Sequence, residues 1–172
     1  MSALAIPLAI LVLGVPPPAK VGLACSIEPT RTGGAVTARL ENHGPGDVSG
    51  EFSTVFVLAP PGSRAEGSLP GGSDSYWAPV DLASRAHYFG PNQTPELSLA
   101  KGEHLTMAVE LRHLLWAKRI SSVWPDHFVW DVVPPGEYGL HLEVAGPATP
   151  EGIDSSRILV RVGNGSITTV PH

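Results

Sequence analysis

Apolar and polar side chains alternate along this chain in short runs, and glycine or proline cuts off nearly every run. A period of two places all the apolar side chains of a run on one face, which is the geometry of a half-buried β-strand and incompatible with a helix. Val36, Ala38 and Leu40 alternate with Thr37, Arg39 and Glu41, between Gly33-Gly34 and the turn Asn42-His43-Gly44-Pro45-Gly46. The same rhythm returns at Val21, Leu23, Cys25 and Ile27, at Leu105, Met107, Val109 and Leu111, at Tyr138, Leu140, Leu142 and Val144, and at Ile158, Val160 and Val162. Phe52 to Ala59 is apolar on both faces and rich in β-branched and aromatic residues, as a central strand covered on both sides would be. Tyr76 to Leu82 reads as an edge strand, because Pro79 removes a ladder donor.

Composition agrees with a chain that turns often. It has 19 glycines and 18 prolines, and 16% charged residues against roughly 25% in typical globular domains. With 42% hydrophobic residues it is too apolar for wholesale disorder, so the glycines and prolines punctuate short elements. Only Arg112 to Arg119 departs from the pattern: Leu111, Leu114, Leu115 and Lys118 fall at helical spacing and predict one or two helical turns. No sustained period of 3.6 occurs elsewhere, which argues against βαβ units and a parallel sheet. The expectation is an all-β fold, an immunoglobulin-like antiparallel β-sandwich of about seven strands with one short helical turn. Residues 20–163 form the sandwich, residues 1–19 precede it as an apolar leader, and residues 164–172 follow as a tail.

Residues 2–15 are uncharged and apolar, too short to span a bilayer as a helix but of the length of a signal-peptide core. They point to export, to a secreted, periplasmic or cell-envelope location, although no Lys or Arg precedes the run and Pro7 interrupts it. If the run is not a signal, the cytoplasm is the alternative. Gly22-Leu23-Ala24-Cys25 resembles a degraded bacterial lipobox, which would make Cys25 a lipid anchor and the membrane a partner. The competing reading makes Cys25 an inward position of a strand, where a free thiol behaves as a small apolar residue. As the single cysteine it forms no intramolecular disulfide and leaves no Cys-rich zinc site.

The succession VGLACSIEPT, GAVTARLENHGPGDV, a Leu-Ala-Lys-Gly-Glu turn before a strand ending in Glu110-Leu111, and VPPGEYGLHLEV resembles the bacterial immunoglobulin-like domains that include the intracellular proteinase inhibitor type. The resemblance covers residues 20–163 and implies the sandwich fold; it assigns no inhibitory residue to this chain. Fold alone does not fix activity.

Catalytic signatures are absent: there is no Gly-x-Ser-x-Gly elbow, phosphate-binding glycine loop, His-Glu-x-x-His or EF-hand loop. His113, Asp126, His127 and Asp131 are close in the chain, but their spacing fits no strand pair, and His43, His104 and His141 read as solvent-facing. No metal and no cofactor are expected. A net charge of −5 with scattered basic residues offers no stripe for phosphates, so nucleic acid is not an expected partner. Asn92-Gln93-Thr94 and Asn164-Gly165-Ser166 match the glycosylation pattern in predicted loops, a weak signal.

The most distinctive stretch is Trp124-Pro125-Asp126-His127-Phe128-Val129-Trp130-Asp131. Some of the four tryptophans belong in a sandwich core; any that are exposed would make a hot spot. Trp124, Asp126, His127, Phe128 and Trp130 are the candidate binding residues. The function expected is a non-enzymatic exported binding or structural module that contacts an unidentified protein, in the manner of a protease inhibitor; the alternative is a carbohydrate-binding accessory domain that stacks sugars on exposed tryptophans.

Overall fold

The inward positions of the second predicted strand are completely buried: Val36, Ala38 and Leu40 expose nothing, while Arg39 between them faces solvent. A computed structural model describes residues 22–61, 75–84, 86–87, 95–119, 128–147 and 149–170. In chain order its strands are β1 (Leu23–Pro29), β2 (Ala35–Asn42), β3 (Val48–Glu51), β4 (Ser53–Ala59), β5 (Tyr76–Asp81), β6 (Ala86–His87) and β7 (Glu96–Leu99). There follow β8 (His104–Glu110), β9 (Ala117–Arg119), β10 (Phe128–Trp130), β11 (Gly136–Gly146), β12 (Thr149–Asp154), β13 (Ile158–Gly163) and β14 (Ser166–Thr169). The protein is all-β with antiparallel sheets.

β1, β2 and β8 form one sheet in that order. A larger sheet runs β10-β9-β5-β4-β11-β13-β14, with β12 added to β11 and β6 to β5. β3 pairs with β7 in a third, two-stranded piece. The same two stretches of chain therefore pair twice, first as β2 with β8 and then as β3 with β7. Between the two ladders the chain swells into the turn at Asn42, and Asn42 is what holds that swelling closed. Its side chain is fully buried; Nδ2 donates to the carbonyls of Gly46 at 2.9 Å, Leu99 at 3.1 Å and Ala100 at 3.3 Å, and Oδ1 accepts from Gly44 N at 2.9 Å. A buried amide with both ends satisfied offsets its own desolvation.

One hydrophobic cluster joins the two main sheets. It takes Ile27, Val36, Ala38, Leu40, Met107 and Val109 from the three-stranded sheet and Phe56, Leu58, Ala78, Leu140, Leu142, Val144 and Val160 from the larger one. β4 lies between β5 and β11, with Phe56 and Leu58 on the core side and Val57 on the other face, and all three are buried. A strand covered on both faces reads as a continuous apolar run, as this one does.

Several local expectations change. The helical spacing from Leu111 to Lys118 yields only a 3-10 turn at Leu111–His113, after which the chain extends and joins the large sheet as β9. Two apolar contacts at helical spacing do not stabilise so short a helix when a sheet edge offers backbone hydrogen bonds nearby. His141, which the alternation assigns to solvent, is 1% exposed. It does face away from the core, but Val57, its partner across the ladder, is equally buried and Trp77 beyond is half-buried, so this part of the outer face is covered. Within the stretch read as a tail, Ser166–Thr169 forms β14 against β13 across an Asn164-Gly165 turn with Gly165 at φ 76°. Cys25 packs partly buried against the core from β1. Among the described residues no helix is long and apolar enough to cross a membrane.

Candidate functional site

Trp124, Asp126 and His127 lie outside the described residues. Phe128 and Trp130 belong to β10, the edge strand of the large sheet, where Phe128 pairs with Arg119 and Trp130 with Ala117. The chain leaves β10 through Asp131, whose N–H donates to the Trp116 carbonyl at 2.9 Å. Of the other tryptophans, Trp116 is buried in the core cluster and Trp77 is half-buried on β5.

Next to this edge the surface opens into a groove of about 450 Å³. The 3-10 turn and the strap Leu114–Trp116 form one wall, residues 131–133 the second, and the β13–β14 hairpin the third. Trp116, Val133, Val162 and Ile167, all buried, make the floor. Leu115, 46% exposed, and Val132, 85% exposed, stand at the rim and are the large exposed apolar side chains among the described residues. Arg112 and Asp131 place one charge of each sign beside them; Arg112 is held by Glu110, with Nε at 2.9 Å from Oε2, and Asp131 Oδ1 accepts from Val132 N at 2.8 Å. An apolar floor with a charged, orientable rim can take an apolar side chain from a partner and fix its direction. The sequence points to this region through its aromatic residues; it marks Leu115 only as part of a helical spacing and Val132 not at all, because exposure of an isolated aliphatic residue has no sequence signature.

A second constellation lies on the outer face of the large sheet. Glu143 on β11 stands directly opposite Asp154 on β12, and His141 precedes Glu143 by two residues on the same face. His141 Nε2 lies 3.0 Å from Glu143 Oε1, while the buried Nδ1 has no hydrogen-bond partner. One ligand-capable atom from each of the three side chains falls within 4.8 Å of the others. Ser155 fixes the chain just after β12, its N–H donating to the Leu142 carbonyl and its Oγ accepting from Leu142 N, both at 2.9 Å. Burial raises the Asp154 carboxyl above the usual range and Glu143 adds to the rise; His141 and Arg157 oppose it. On the inner side, Cys25 Sγ sits 3.7 Å from the carbonyls of Leu142 and Ile153. Burial, with Asp154 and Glu143 behind it, pushes that thiol up to about 12.

Of the four candidate ligands close in the chain, His113 and Asp131 are exposed, with His113 Nδ1 3.5 Å from Glu110 Oε2, and Asp126 and His127 lie outside the described residues. The i, i+2 pair His141 and Glu143 was visible in the sequence, but its third member sits on a different strand that only the fold brings alongside. Comparison with protein-family models, with curated proteins and with solved structures returned no match.

Proposed function

We propose that this chain is a non-enzymatic binding module, an immunoglobulin-like β-sandwich exported from the cytoplasm, that holds a protein partner at the groove beside β10. The observation that carries the reading is the pairing of Val132 and Leu115, exposed at the rim, with the buried apolar floor of an open groove. Interface hot spots have this anatomy: a desolvated pocket with apolar anchors and charges at the margin. The antiparallel all-β framework and the single core support a rigid scaffold behind it. Trp116 is buried and Trp77 half-buried, so neither offers an open sugar-stacking face.

The test is quantitative co-purification from the extracytoplasmic fraction of the cells that make the protein. Wild type is compared with a Leu115→Asp/Val132→Asp double variant and with Thr106→Asp on the other sheet as a surface control. The expected outcome is a partner retained by wild type and control and lost by the double variant, with melting temperatures unchanged. Identical partners on all three proteins would remove the groove from the function.

A further inference from the structure

We propose that His141, Glu143 and Asp154 form a binding site for one divalent transition-metal ion of the zinc class, held by His141 Nε2 and the two carboxylates. Three observations combine. The donor atoms already lie within 4.8 Å of one another, so small side-chain rotations bring all three to the ~2.0–2.2 Å that zinc takes with nitrogen and oxygen. Glu143 and Asp154 stand in register across the β11–β12 ladder, where like charges directly opposite are unfavourable unless a cation lies between them. His141, 1% exposed, places Nε2 3.0 Å from Glu143 Oε1 and leaves Nδ1 without a hydrogen-bond partner. An imidazole buried on the outer face with one hydrogen bond and one unpartnered ring nitrogen is a poor exchange for its hydration. Coordination through Nε2 would put a metal–nitrogen bond in place of that single hydrogen bond.

The donor set selects the ion. One imidazole and two carboxylates suit zinc and its neighbours, whereas calcium and magnesium prefer oxygen alone. Asp154 is exposed, Glu143 half-buried and His141 buried, so the ion would be approached from solvent on the Asp154 side, with room there for water to complete the coordination. The framework is stiff: β11 is paired with β4 on one side and with β12 and β13 on the other, and Ser155 clamps the end of β12.

The experiment is calorimetric titration of tag-free full-length protein with zinc chloride, paired with Co²⁺ absorption as a report on nitrogen and oxygen coordination. Wild type should bind one equivalent saturably and gain thermal stability. Asp154→Asn and Glu143→Gln should each weaken binding at least tenfold, and His141→Gln should abolish it. A His43→Gln/His104→Gln double variant, which removes exposed imidazoles elsewhere, should bind as wild type does. Because His141 is buried and its variant can fail to fold, the exposed Asp154→Asn variant is decisive: affinity unchanged by that substitution, or no saturable heat with wild type, overturns the site.

Discussion

At Cys25 the thiol meets two backbone carbonyls and, through the sheet, the negative charge of Asp154 and Glu143, a surrounding that disfavours the thiolate on every count. Reactivity of a cysteine follows its thiolate fraction, so a thiol held at about 12 is inert at neutral pH. At pH 8 a disulfide reagent should leave native protein unlabelled over minutes and label one thiol per chain at once in guanidinium; immediate labelling of the native form would refute the burial. The same shift has a stability consequence. An unfolded thiol loses its proton near 9.0 and the folded one near 12, so the unfolded chain ionises first and stability falls as pH rises between these values. Urea midpoints at pH 8 and pH 10.5 should separate more for wild type than for Cys25→Ala, which lacks the titrating group. Apolar parity marked Cys25 as inward in the sequence; the two acidic residues that deepen its inertness come from β11 and β12 and were invisible there.

Among the elements, the two broken strands depend on one amide. Asn42→Ala removes the side-chain donor to the carbonyls of Gly46, Leu99 and Ala100, the last of which keeps the Glu103 N–H, and leaves the Gly44 N–H without its acceptor; it should cost about 2–3 kcal/mol in chemical denaturation. Asn42→Asp, which keeps the acceptor and loses the donors, should lie close to Ala, and full stability in either variant would show the ladders hold without the knot. The sequence made β2, β4, β11 and β13 legible, because each has either a strict alternation or a continuous apolar run between turn residues. It misled at Leu111–Lys118, where two contacts at helical spacing were outweighed by a sheet edge, and at His141, where alternation fixed the face without telling whether that face is covered. β14 was concealed by a double meaning: Asn164-Gly165 is a hairpin signal as well as the start of a glycosylation pattern. The rim residues of the groove were unreadable because their exposure depends on where the 3-10 turn and the β13–β14 hairpin part company.

On the scale of the whole molecule, strands distant in the chain lie side by side: β4 pairs with β11, and β2 with β8. Loop closure must be completed before such pairings return any energy, so folding should be slow, with time constants of milliseconds to seconds, as for other all-β domains. Stopped-flow tryptophan fluorescence after dilution from urea checks this; a full-amplitude microsecond phase would contradict the pairing order. The central place of β4 has a further meaning for the chain during its own synthesis. A ribosome delivers Ser53–Ala59 long before it delivers Gly136–Gly146, and in that interval an oily ribbon with a bare edge stands in water. Escape from aggregation in that window rests on whatever shelters the nascent polypeptide, so its yield in a cell is governed by a stretch that the finished protein largely buries.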